Sequence, residues 1–129
     1  MKHLLLAVAV FLIISCSVAQ AFTVTLTGAM VRVEYTEPID NEDGSITNDL
    51  NHCELFYDVG AGAVKGMDIP ASSPAGGADM SASLEIPVIS GQEVDVKFWL
   101  TAVDLSGNSS KPSELFFVRI DRLAPNPPR

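Results

Sequence analysis

Cys53 with His52 beside it, the acidic run from Asp40 to Asp49 and the triplet Asn108-Ser109-Ser110 are the residues whose types and spacing bear on chemistry. A cysteine nucleophile needs a base that can reach its thiol. Neighbouring residues on a strand point to opposite faces, so His52 is badly placed to serve Cys53, which is expected to be an inert core thiol. The acidic run IDNEDGSITNDLN invites a calcium loop. With Gly44 as the glycine of an EF-hand loop, its first, third and fifth positions fall on Ile39, Asn41 and Asp43, and its twelfth on Leu50. Two of those positions offer no side-chain oxygen, so a solvated turn around Asp43-Gly44 is expected, with no metal. Asn108-Ser109-Ser110 is an N-glycosylation sequon, meaningful only in a eukaryotic secretory pathway. Patterns of the G-x-S-x-G, H-E-x-x-H, P-loop and G-x-G-x-x-G kinds are absent. No enzyme and no cofactor are expected.

The N-terminus carries export signals. Lys2 and His3 precede the apolar run Leu4 to Ile14, which is short for a membrane span but suits a signal-peptide core. Two processing sites compete. Ala19-Gln20-Ala21 is an A-x-A site that makes residues 1–21 a signal peptide and Phe22 the first mature residue. Ile13-Ile14-Ser15-Cys16 resembles a bacterial lipobox, which would leave Cys16 acylated and the domain tethered to a membrane. The A-x-A site is preferred, because cutting at Cys16 leaves a very short tether before strand-like residues. Either route places the domain outside the cytosol, secreted or periplasmic in the first case and a membrane-anchored lipoprotein in the second.

Cleavage after Ala21 leaves chain enough for one sandwich of about 100 residues. It also leaves Cys53 alone, so an intradomain disulfide is excluded and packing must hold the fold. The 129-residue chain has a formal charge of −8; without Lys2 it holds 7 basic against 16 acidic groups, a net of −9. Nucleic acid is therefore not an expected partner, since phosphate binding needs a basic footprint.

The elements that position these residues read as strands. The clearest is in VDVKFWLTAVDLSGNSS, Val94 to Ser110: Val96, Phe98, Leu100 and Ala102 share one face, Lys97, Trp99, Thr101 and Val103 the other, and Asp104 to Gly107 turn the chain. Phe22 to Thr27 and Val31 to Tyr35 read as a strand pair around Gly28. Cys53 to Val59 alternates Cys53, Leu55 and Tyr57 with Glu54, Phe56 and Asp58. The Gly/Ala/Ser/Pro-rich stretch Gly60 to Ala82 offers only Val64 to Ile69 as a short strand. Ser83 to Val88 follows, with Pro87 implying an edge or a strand end. After Pro112-Ser113, Leu115 to Ile120 is the last strand. Its tail, 122–129, is proline-rich.

Three stretches together carry a resemblance. V-x-F-x-L-x-A-x-D-x-x-G-N-x-S from Val96, Val31-Arg32-Val33-Glu34-Tyr35-Thr36-Glu37-Pro38, and Leu50 with Leu55, Phe56 and Tyr57 resemble the F–G, B and C segments of a fibronectin type III domain. Tyr35 stands where that family usually has a core tryptophan, and Val96 where its tyrosine corner is expected. The resemblance implies an all-β, seven-stranded antiparallel immunoglobulin-like β-sandwich over 22–121. It also implies a non-enzymatic binding or adhesion module with a protein or carbohydrate partner, or else a structural envelope subunit anchored through Cys16. If Leu55 and Leu100 point inward, Phe56 and Trp99 must point outward, and Phe117 joins them if Phe116, Val118 and Ile120 are the inward set. Phe56, Trp99 and Phe117 are thus the expected partner-binding residues, unless the segment after Val59 or the tail folds over them.

Overall fold

The computed structural model describes residues 22–129; residues 1–21, expected to be a signal peptide, and with them Cys16, lie outside the described residues. Seven strands follow one another: β1 (Thr23–Thr27), β2 (Met30–Thr36), β3 (Leu50–Asp58), β4 (Val64–Pro70), β5 (Asp79–Glu85), β6 (Glu93–Asp104) and β7 (Phe116–Asp121). They form a three-stranded sheet, β1-β2-β5, and a four-stranded sheet, β4-β3-β6-β7, with every pairing antiparallel. The two sheets pack face to face as a sandwich, consistent with an immunoglobulin-like or type III-like fold.

Alternation builds the core. Val31, Val33 and Tyr35 of β2 are buried while Arg32, Glu34 and Thr36 are exposed. On β6 the inward parity is Val96, Phe98 and Leu100, and β3 answers with Cys53 and Leu55. Phe98, Leu55, Ile86 and Ile120 are among the largest side chains wholly removed from water, where each contributes about 1.5–3 kcal/mol. Tyr57 and Ala102, on the same faces as Leu55 and Phe98, are only half-buried against it, as is Leu84.

Three strands differ from the sequence expectation in where they begin or end. β3 begins at Leu50, because its partner β6 runs on to Asp104 and the ladder follows it across an irregularity between Leu50 and His52. β5 starts at Asp79 and stops at Glu85, since the whole of β2 templates it residue by residue, from Thr36 opposite Asp79 to Met30 opposite Glu85. The weakly apolar Met80 and Ala82 gave little local sign of this. Pro87 then lies in a tight turn in which Val88 N–H donates to the Ile86 carbonyl. The last strand starts at Phe116, one residue past the expected Leu115; ahead of it the chain follows β6 through Ser110 and Ser113, whose hydroxyls accept from the amides of Ala102 and Leu100 in place of backbone carbonyls.

Two glycines permit close approaches. A Cβ on Gly66 of β4 would meet the Leu84 side chain at 2.5 Å, so its absence lets β4 close over the other sheet. Gly76, at a φ of +67°, lies against the Pro38 carbonyl, where any side chain would collide.

Candidate functional site

The outer face of the four-stranded sheet gathers the aromatic residues that alternation turns away from the core. Phe56 on β3 stands directly opposite Trp99 on β6. Their rings stack with centroids 5.7 Å apart and planes within 7°. Both are half-buried, and Lys65 of β4 is the register partner of Phe56 on its other side. Phe117 lies on the same face of β7, opposite Lys97, and is 64% exposed. Among the described residues no ring stacks on Phe117. The three expected residues therefore share one face, but as a stacked pair with one separate neighbour.

Nothing described covers this face. Part of the segment after Val59 becomes β4 and extends the sheet sideways, pairing with β3 through its edge. The tail from Arg122 to Arg129 is exposed throughout.

Ion pairs frame the aromatics. Arg119 of β7 donates to Asp95 at 2.9 Å and reaches Glu93 at 3.3 Å, and Lys97 approaches Asp58 at 3.9 Å. The Arg119 guanidinium holds the Asp95 carboxyl below the usual carboxylate range. Asp58 is likewise lowered, chiefly because the Gly60 amide donates to it in the turn after β3. Exposed pairs of this kind add little stability, but they fix which charges surround the rings.

At the far end of β3 the same face holds a polar cluster that sequence reasoning did not single out. His52, Glu54 and Asp68 bring one donor atom each within 4.8 Å of the others. Lys65 sits on it, its ammonium 3.0 Å from Asp68 and 3.3 Å from Glu54, and these carboxylates raise its pKa. The i, i+2 spacing of His52 and Glu54 was readable. Asp68 was not, because its place opposite Glu54 depends on a register shift between Leu55 and Phe56.

The loop after β2 is a small hairpin of its own. Asp43 accepts from the amide and hydroxyl of Ser45, Asn41 donates to Ser45, and Asp40 bridges to Ile46. Glu42 accepts from the Lys111 amide, which ties this loop to the β6–β7 connection. Asp104 similarly accepts from the amides of Ser106 and Asn108 and closes the expected turn. Between these loops a cleft of about 630 Å³ reaches down to Tyr35, Cys53 and Leu100.

Below the cleft, Cys53 and His52 point to opposite faces of β3: Cys53 is buried and faces the core while His52 faces outward, as alternation requires. Burial pushes the Cys53 thiol up to about 11, which keeps it protonated and unreactive at neutral pH. The Tyr35 hydroxyl is buried and raised as well, chiefly by desolvation. The Cys53 thiol lies close enough to act on its ionisation as a charge and as a weak hydrogen-bonding neighbour, but the hydroxyl makes no well-formed hydrogen bond to another protein group. Glu37, also buried, is satisfied: it accepts from the Ser72 amide and hydroxyl and from the Ala78 amide, and pins that loop to the end of β2. No protein-family model matches the chain, and no curated protein is similar to it at a significant level.

Proposed function

We propose that this chain is an exported, non-enzymatic binding module of the fibronectin type III kind, which presents the outer face of β4-β3-β6-β7 to a protein or carbohydrate partner. The observation that carries this reading is the uncovered parallel stack of Phe56 on Trp99 with exposed Phe117 on the same charged face. Flat aromatic surface framed by charges suits a sugar ring or the apolar centre of a protein interface. The strand order supports the type III reading, since β1-β2-β5 and β4-β3-β6-β7 correspond to its two sheets. The net negative charge argues against nucleic acid as the partner.

Trp99→Ala tests the reading. Binding should first be sought with the purified protein against soluble polysaccharides and cell-surface protein extracts, and self-association by sedimentation. The substitution should weaken the detected interaction by about 2 kcal/mol or more while shifting the denaturation midpoint only slightly. A variant that unfolds, with no interaction detectable in the parent, would make Trp99 a stability residue and end the proposal.

The lipobox-like Ile13-Ile14-Ser15-Cys16 favours one second reading, an envelope lipoprotein anchored through Cys16 with membrane contact through the lipid alone. Intact mass of the exported protein separates the two: a diacylglyceryl-bearing Cys16 supports the anchored form, and a free Phe22 supports the secreted one.

A further inference from the structure

We propose that His52, Glu54 and Asp68 form a binding site for a divalent transition-metal cation, zinc by the chemistry of its donors, in which the cation takes the place of the Lys65 ammonium. Among the described residues this is the one group of three such side chains whose donor atoms converge. The spacing is what carries the assignment. Tetrahedral zinc with ligands at about 2.0–2.2 Å separates neighbouring donor atoms by about 3.4 Å. His52 Nε2 lies 3.4 Å from Glu54 Oε2 and 3.9 Å from Asp68 Oδ1. The third separation, between the Glu54 and Asp68 oxygens, is within 4.8 Å, so the two carboxylates close on one ion by side-chain rotation with the imidazole already at the tetrahedral spacing from Glu54.

The local structure holds the donors in place. His52 and Glu54 are two residues apart on β3 and so share a face, and Asp68 stands opposite Glu54 on β4. The Thr101 hydroxyl of β6 donates to Glu54 Oε1 at 3.3 Å, leaving Oε2 as the oxygen turned toward His52 and Lys65. Such an outer contact is what orients a metal-binding carboxylate. The His52 and Glu54 side chains are only 21% and 19% exposed, so little freedom remains to be lost on binding.

The site already holds a cation. Lys65 Nζ lies 3.0 Å from Asp68 Oδ1 and 3.3 Å from Glu54 Oε2, the same two oxygens. The ammonium balances one of two carboxylate charges and cannot use the imidazole lone pair. A divalent cation balances both and takes the imidazole as a ligand. Lys65, with its side chain 46% exposed, can swing into water. An imidazole beside two carboxylates selects zinc and its neighbours over calcium or magnesium, which prefer an all-oxygen shell. Three protein ligands on an open sheet face leave a fourth position for water or for a donor from outside the chain.

Cobalt(II) titration of the purified protein, read by the visible absorption of tetrahedral cobalt, followed by displacement with zinc, tests the site. One equivalent should bind. His52→Ala should abolish the spectrum while the fold, followed by thermal melting, is retained. Thr101→Val should weaken binding by about tenfold through loss of the contact that orients Glu54. Lys65→Met should strengthen it by removing the competing ammonium, and this variant decides the matter even if His52→Ala folds poorly. Absence of a one-equivalent site in both the parent and Lys65→Met overturns the proposal. So does binding that survives His52→Ala unchanged, or a Lys65→Met variant that binds no more tightly than the parent.

Discussion

Tyr35→Phe should stabilise this protein, although it removes a polar atom from the centre of a β-sandwich. The ring is buried at the end of β2, and its hydroxyl makes no well-formed hydrogen bond to another protein group. Burying such a group unpaired costs about 1–3 kcal/mol relative to leaving it in water, and phenylalanine removes that cost without opening a cavity. The nearby Cys53 thiol is too weak an acceptor to offset much of it. A net gain of about 1 kcal/mol is expected, equivalent to a rise of roughly 4–8 °C in Tm for a domain of this size. Urea denaturation is the direct assay: the midpoint should rise with an unchanged slope, which attributes the gain to stability rather than to a change in exposed surface. A loss greater than about 0.5 kcal/mol would refute the reasoning, because it would mean the hydroxyl is bonded in solution.

Phe98→Ala should cost about 3–5 kcal/mol, since the side chain is fully buried between the sheets and beside Tyr57; a loss under about 1 kcal/mol in denaturant melts would overturn the assignment of faces on β6. Glu37→Ala should cost about 1.5–3 kcal/mol by orphaning the Ser72 and Ala78 amides, and native-state proteolysis should show the loop before β5 opening first. Stability should also fall in alkali. The buried Cys53 thiol keeps its proton up to about 11 while the unfolded chain loses it from 9.0, so folding is unpenalised below 9.0 and weakens as pH rises through about 11. At about 1.4 kcal/mol per pH unit the full loss is about 2–3 kcal/mol, and Cys53→Ala should flatten this part of the pH profile. A profile identical in the variant would remove Cys53 as its source.

The parts of the fold that were legible are those where one strand face is buried and the other is not. β2 and the middle of β6 display this alternation in side chains too different to confuse, as with Phe98 beside Lys97, so their faces could be assigned from Val31 to Tyr35 and from Val96 to Leu100; past Leu100 the pattern reverses, with Val103 buried and Ala102 half-buried. The alternation that turned Val96, Phe98 and Leu100 inward also turned Phe56, Trp99 and Phe117 outward. β5 was illegible for the converse reason. It is an edge strand of small and polar residues, D-M-S-A-S-L-E, and its length is set by β2 rather than by its own pattern. Glu37 was passed over because a single glutamate before a proline carries no local sign of burial; three donors from a loop far along the chain create its site. The His52, Glu54 and Asp68 cluster was hidden by the same kind of nonlocality, compounded by a register shift that sequence periodicity cannot anticipate.

The two parities of β6 separate the packing of the sandwich from the face proposed for binding, so the proposed function is separable from stability. Val96, Phe98 and Leu100 face the three-stranded sheet and carry the packing. Lys97, Trp99 and Thr101 face outward, where each meets a residue of β3: Asp58, Phe56 and Glu54. These outward pairs contribute only tenths of a kcal/mol to about 1 kcal/mol each to the sheet, so the outer face can change while the sandwich persists. Without a disulfide among its described residues, the domain cannot trade away its inner parity in the same manner. Substitutions at Trp99 and at Phe98, adjacent in sequence, should therefore act on different observables. The first should alter the proposed binding and the second whether the chain folds.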